Sequence, residues 1–315
     1  MHIRQLAVVL LLWIAPVVAD DEAPFRSLYV FGDSLSDTGN LAAIRGDFPA
    51  PYFQNRVSNG LLAIDTLAER LGLSARASLH LLGRQEGGNY AVAGARARGN
   101  DLIDLSSQVA MFLAQQGNET PEDALYVVFI GGNDVRDARD ETNAERANAI
   151  VDDAVSEIAN NIQLLRRAGA RSLLVMNSPD IGSLPENALL TAASGDRFVA
   201  QRATRLSERF RVQLRRALQR LRREHDEVWL QEVDIYTASR LIARQAAQFG
   251  ISNTTDACFS SQTKTFHPDC ADGAGFDRFY FFDEIHPTAK VHRLIGEGIY
   301  EGLTRAGRGR ATARD

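Results

Sequence analysis

The chain has 315 residues, 45% hydrophobic and 24% charged, with a formal net charge of −5. That length holds one large α/β domain or two smaller ones, and a domain of about 280 residues buries enough surface to be stable without staples or cofactors. The acidic balance supplies no global basic field for DNA, RNA or an anionic membrane, so nucleic acid is not an expected partner.

The first residues read as an export signal. Arg4 precedes a nearly continuous apolar run from Leu6 to Val18, and Ala19 offers a small residue for cleavage. The expected division is a signal peptide over 1–19, a single domain over 20–306 and a disordered Arg-Gly tail over 307–315. An apolar core of about a dozen residues is short of the ~20 needed to span a bilayer, and no later segment has that length and apolarity. Export predicts a periplasmic or extracellular protein.

Strands and helices then alternate, which argues for a parallel sheet covered on both faces. A short strand over Ser27 to Phe31 ends at a Gly-Asp-Ser turn. A helix follows from Leu61 to Leu71, with Leu61, Ile64, Leu67, Ala68 and Leu71 on one face. A second strand, Leu125 to Ile130, closes on Gly131-Gly132-Asn133-Asp134. A long amphipathic helix runs from about Asn143 to Ala168 and stops at Gly169. The third strand, Ser172 to Met176, leaves into Asn177-Ser178-Pro179-Asp180. A helix from about Arg197 to Glu224 pairs an apolar stripe with an arginine-rich face, read as solvated. A fourth strand over Val228 to Val233, a helix over Tyr236 to Gln248, a polar loop over 250–278 and a last helix over His292 to Leu303 complete the chain.

In an open parallel sheet, ligands sit outside the carboxyl ends of the strands. Three of the expected strands end in polar turns carrying Ser34, Asn133 or Asp180. Ser34 is the candidate nucleophile, although Asp33-Ser34 and Asp37-Thr38-Gly39 are also turn-formers. A metal-dependent phosphatase is disfavoured, because Asp33 and Asp37 stand four apart rather than two. Of the six histidines, only His286 has an aspartate three residues upstream, Asp283. On one turn that aspartate can accept the Nδ1 proton and leave Nε2 facing a serine. The run Phe279-Tyr280-Phe281-Phe282 would wall that base. Oxyanion donors are sought at Ser34 N–H, Gly94 N–H and the Asn133 amide. The two cysteines, Cys258 and Cys270, are expected to pair in an oxidising compartment. No metal site is expected, since only His267 lies near them.

Four blocks stand in order: Phe31-Gly32-Asp33-Ser34-Leu35-Ser36-Asp37-Thr38-Gly39-Asn40, Gly94 after Asn89-Tyr90-Ala91, Gly131-Gly132-Asn133-Asp134, and Asp283 to His286 with Pro287. Together with Arg56-Val57-Ser58-Asn59-Gly60 and Asn177 to Gly182, they resemble the SGNH (GDSL-type) esterase and lipase family over nearly the whole expected mature chain. The resemblance implies a flavodoxin-like three-layer α/β/α sandwich with a short parallel sheet. It also implies Ser34 as nucleophile, His286 as base and Asp283 as its orienter, with Ser34, Gly94 and Asn133 as oxyanion donors. Two departures are Ala93 where many relatives have glycine and Phe282 where many have tryptophan. Ser36 stands where a G-x-S-x-G elbow would end in glycine, which argues against an α/β-hydrolase.

The expected function is therefore hydrolysis of carboxylic esters through an acyl-enzyme, without metal or organic cofactor. Phospholipid hydrolysis or lipid acyl transfer by the same site is the alternative. A catalytically inactive secreted binding module is the alternative of another class. Small ester or lipid molecules are the expected partners, and acyl length, head group and oligomeric state are not legible.

Overall fold

A computed structural model describes residues 25–311; the expected signal peptide lies outside the described residues. Four parallel strands form the central sheet in the order β1 (Ser27–Gly32), β2 (Ala124–Phe129), β3 (Ser172–Met176), β4 (Trp229–Val233). Every residue of β2 is buried, as continuous apolar runs in a two-sided parallel sheet should be. Register sets Ser27 beside Ala124, Leu125 beside Ser172 and Ser172 beside Trp229, so the strands finish nearly level.

The helices, in chain order, are α1 (Asn40–Arg45), α2 (Ala63–Arg70), α3 (Leu105–Gln115), α4 (Gly132–Asp140), α5 (Ala144–Arg167), α6 (Glu186–Ser194), α7 (Val199–Glu224), α8 (Ile235–Arg244) and α9 (Ala289–Ala311). They fall into two packed groups: α2 and α8 against α9, and α3, α4 and α7 around α5. Crossovers between neighbouring parallel strands are right-handed as a rule, and both α5 and α7 make such crossovers, so that group covers one face of the sheet and leaves the other to the first group. No helix among the described residues is long and apolar enough to cross a membrane.

The stripes read from periodicity are buried with one exception. On α5, Ala154, Ile158, Ile162 and Leu165 are buried but Ile150 is half-buried and its neighbour Val151 takes the core position, while Ala203, Leu206, Phe210, Leu214 and Leu221 of α7 are buried in the same core. The opposite face of α7 is more than solvated arginine. Arg209 pairs with Asp152, and Arg215 with Glu232 and Asp234.

A fifth chain segment completes the sheet. Along the free edge of β1, Val30 N–H donates to Gly88 O, Tyr90 N–H to Val30 O and Val92 N–H to Gly32 O. The segment 88–92 is thus an irregular parallel edge strand that reverses the strand order at β1. Crevices at the carboxyl ends of strands form at such reversals, here between the turn after β1 and the turn after β2.

Three readings are corrected. Residues 250–278 are not all loop: β5 (Asn253–Ala257) pairs in parallel with β6 (Phe279–Phe281). β5 is polar and half-exposed, so it carries no apolar alternation to read. The Gly-Gly-Asn-Asp turn is the start of α4, and α3 and α6 went unread. His80 is fully buried against Tyr90. Finally, α9 begins three residues before His292 and continues to Ala311, into the expected tail; alanine and arginine are strong helix formers. Residues 312–315 lie outside the described residues.

Candidate active site

β1 delivers Ser34 to the rim of the sheet on a turn closed by its neighbours. Asp33 O accepts from Ser36 and Asp37 N–H, while Asp33 Oδ1 accepts from Leu35 N–H at 3.0 Å. The turn is bolted from behind. Buried Asp37 accepts four backbone N–H groups, from Gly39, Asn40, Leu41 and Ala93. Asn40 donates to Asn89 O and Ala91 O, and Asn89 in turn donates to Ser36 O. Gln108 of α3 caps the strand end, accepting from Gly32 N–H and donating to Gly32 O, both at 2.8 Å. These bonds lock the serine turn to the edge segment that leads into Gly94.

His286 arrives from the other end of the chain. Its Nε2 lies 2.9 Å from Ser34 Oγ, and its Nδ1 lies 2.8 and 2.9 Å from the two Asp283 oxygens. Asp283 Oδ1 also accepts the N–H of Ile285 and of His286, which winds 283–286 into one tight turn. Burial pushes the Asp283 carboxyl up, but the His286 ring and those N–H donors hold it below the ordinary carboxylate range. A neutral ring hydrogen-bonded to that carboxylate donates from Nδ1 and leaves Nε2 as the acceptor facing the serine.

The segment is fastened on both flanks. Ser58 Oγ donates to Pro287 O and Asn59 Oδ1 accepts from Ala289 N–H, both at 2.9 Å, which is what the Arg56 to Gly60 block does. Glu284, between the aspartate and the histidine, accepts from the Ser260 and Ser261 hydroxyls and the Ser261 N–H. Those serines lie in the loop closed by the Cys258–Cys270 disulfide, and Cys258 and Phe259 N–H donate to Phe281 O and Phe282 O. The expected cysteine pairing is present.

Gly94 and Asn133 stand on the facing rim. Gly94 has φ +90, a conformation that side chains resist, and its N–H finds no acceptor among the described residues; neither does that of Ser34. Asn133 sits in the first turn of α4. Its amide donates to Ala95 O at 2.9 Å and its oxygen accepts from Arg136 at 3.1 Å, so the amide is held one way round with one N–H left over. The helix can start there because Gly131 has φ +122, and a Cβ on it would stand 2.2 Å from the Phe210 ring. Arg136, three residues on and also paired with Glu186, was not singled out from sequence. Reading 132–140 as a helix would have placed it beside Asn133.

Two cavities meet at Ser34 and His286. The open one, ≈ 400 Å³, is lined by Phe48, Pro49, Tyr52, Gly94 and Lys264 among others. The narrower one, ≈ 60 Å³, is lined chiefly by apolar groups, including Phe129, Ile181, Leu184, Ile235, Phe281 and Ile295. The Asn177 to Gly182 block lies behind its floor: Asn177 bonds Asp234 and Tyr236 N–H, and Asp180 bonds Thr204 and Arg240.

The profile of the family described as GDSL-like Lipase/Acylhydrolase matches residues 28–299. The chain belongs to that family. It is a carboxylic ester hydrolase by that membership. The chain is 28% identical to a phosphatidylcholine-sterol acyltransferase of Aeromonas hydrophila, covering 89% of this chain and 90% of that protein. It is 29% identical to acetylajmalan esterase 2 of Rauvolfia serpentina, covering 75% of this chain and 76% of that one. Among solved structures it is similar to a lipolytic protein of the G-D-S-L family from Veillonella parvula, with TM-score 0.43, 12% identity, and 89% and 98% of the two chains covered.

Proposed function

We propose that this GDSL hydrolase is an exported serine esterase or lipase in which Ser34, His286 and Asp283 carry out two-step acyl transfer. The observation that carries the reading is the continuous line from Ser34 Oγ through His286 to Asp283, with both contacts at hydrogen-bond distance. As Ser34 Oγ attacks the ester carbonyl, its proton passes to His286 Nε2. The Asp283 carboxylate fixes the ring and stabilises the imidazolium that forms. Negative charge developing on the carbonyl oxygen is met by Ser34 N–H, Gly94 N–H and the remaining Asn133 N–H, donors fixed before the substrate arrives. His286 then gives its proton to the leaving alcohol. Water, deprotonated by the same nitrogen, splits the acyl-serine and restores the hydroxyl.

The narrower, more apolar cavity suits the acyl group, and the wider one suits the alcohol and the entering water. Export is supported by the apolar run from Leu6 to Val18 and by a disulfide, which persists in oxidising compartments. Acyl transfer to a lipid alcohol in place of water is the second reading, favoured by the likeness to the Aeromonas acyltransferase over most of both chains. The test is Ser34→Ala assayed on aryl esters and on phospholipid with an added alcohol. Hydrolysis should fall by at least about 10³-fold, and a fluorophosphonate should label the wild-type protein at Ser34. Wild-type rates in Ser34→Ala would refute the nucleophile.

A further inference from the structure

The Asn133 amide is gripped at both ends. Ala95 O accepts one of its N–H groups at 2.9 Å, and Arg136 Nη1 donates to its oxygen at 3.1 Å. Arg136 stands one turn further along α4, where i,i+3 side chains meet. It borders both cavities beside Asn133 and Ser34. The guanidinium is itself held along its other edge, where Nε and Nη2 donate as a fork to the two oxygens of Glu186, the Nε bond at 3.0 Å. Arg139, also of α4 and 1% exposed, donates to the same carboxylate at 2.7 Å. Burial pushes the Glu186 carboxyl up, but the two arginines hold it below its ordinary range, so it stays charged.

Glu186 is also a link to the base. It opens α6, and its backbone N–H donates to Glu284 O at 3.0 Å, inside the turn between Asp283 and His286. One residue therefore touches the histidine turn through its backbone and the Asn133 side through its carboxylate. Arg136, Arg139, Asp140 and Glu186 close on one another as a balanced set of charges. The Arg136 guanidinium is thus not a spare cation for an anionic substrate.

We infer that Arg136, braced by Glu186, is a positioning residue for the oxyanion hole: it fixes the Asn133 amide so that the spare N–H meets the charge developing on the ester carbonyl oxygen. This deepens the proposed function and rests on Asn133 as an oxyanion donor. The one bond does two things. The amide cannot turn without breaking contacts at both its ends, so nothing needs to reorganise as the reaction proceeds. A cation on the amide oxygen also draws electron density from the nitrogen, which makes the remaining N–H a stronger donor. Both effects act chiefly on the charged transition state rather than the neutral ester, so they belong to kcat and not to KM.

The experiment is a double-mutant cycle. For p-nitrophenyl acetate and butanoate, kcat and KM are measured with wild type, Arg136→Met, Asn133→Ala and the double variant, with Arg136→Lys alongside. Asn133→Ala should lower kcat by about 10²–10³-fold. Arg136→Met, which leaves Glu186 its bond to Arg139, should lower kcat by roughly tenfold or more, with KM within about twofold of wild type. In the Asn133→Ala background the same change should cost no more than about twofold, because the group it serves is gone. Arg136→Lys, a point charge that cannot fork to Glu186 and reach Asn133 together, should fall between Met and wild type. If Arg136→Met does not fold, Glu186→Gln makes the same comparison, with a loss of about threefold or more that disappears in the absence of Asn133. Equal losses in both backgrounds, no loss in either, or a loss confined to KM would overturn the role of Arg136; hydrolysis that still depends on Ser34 would leave the proposed function standing. Wild-type rates in Asn133→Ala would overturn that donor and the inference with it, and wild-type rates in Ser34→Ala would overturn the proposed function as well.

Discussion

The turn that carries Ser34 and the turn that carries His286 meet across one hydrogen bond but are secured by different means. The serine turn is held by buried polar groups from three stretches, one adjoining it and two distant: Asp37 with Asn40, Asn89, and Gln108 together bind its backbone, the strand end beneath it and the segment leading to Gly94. The histidine turn is wound locally by Asp283 and then tethered to a cross-linked loop through Glu284 and to the α2 side through Ser58 and Asn59. A nucleophile beside an oxyanion hole needs several backbone N–H groups set relative to one another. One carboxylate accepting many such groups does that at short range. A base needs only its ring aimed, for which one i,i+3 aspartate and a firm anchor suffice.

If that contrast is right, the largest loss comes from the serine side. Asp37→Ala leaves four backbone donors without their acceptor in a buried site, and unfolding in urea should show a loss on the order of 4 kcal/mol. An unchanged midpoint would mean that the network follows the fold rather than holding it. On the histidine side, replacing Cys258 and Cys270 with serine reopens a loop whose ends are 12 residues apart. The expected cost is about 3 kcal/mol, read as a lower Tm, while the Ser34 turn keeps its amide protection in hydrogen exchange. Equal loss of protection at both turns would erase the distinction.

The smallest effect concerns pH. Burial raises the Asp33 pKa from 3.8 to about 7, against the pull of Leu35 N–H and His286. The folded state therefore binds more protons than the unfolded chain between about pH 4 and 7. Stability from this group is full at the acid end of that window and is lost as pH rises through 7. Asp33→Asn should remove a decline on the order of 2–3 kcal/mol between pH 5 and 8, and the unfolding free energy at the two pH values measures it. An equal decline in both proteins would show that Asp33 titrates in the folded state as it does in the unfolded one.

The strands were legible because each is a short apolar run between turn-formers, and the long helices because their stripes repeat over many turns. What stayed hidden depends on residues far apart in the chain. Gln108 acts on Gly32, 76 positions away, and Asp37 acts on Ala93, 56 positions away; neither leaves a local pattern. Segment 88–92 has too few apolar residues to read as a strand, and Gly131-Gly132 reads as a turn until the Phe210 ring explains the glycine. For the site itself, Ser34, Asp283, His286, Gly94 and Asn133 were drawn from spacing and resemblance; the structure brings Ser34, His286, Gly94 and Asn133 to one crevice and buries Asp283 behind His286. Arg136, Glu186 and Glu284 were passed over, because a salt-bridged arginine and two ordinary glutamates look alike in sequence whether or not they brace a site.

The hydrogen bond between Ser34 and His286 joins residues 252 positions apart, which has a consequence for the history of each molecule. Synthesis runs from the amino end, and ribosomes add about 5–20 residues each second. The serine turn, its edge segment and the three strands after it can all be made before His286 exists. Closing so long a loop is entropically unfavourable and waits on the contacts that reward it. At that rate tens of seconds separate the emergence of residue 34 from that of residue 286, so if the two residues act as proposed, no nascent chain shorter than that span can cut an ester through Ser34.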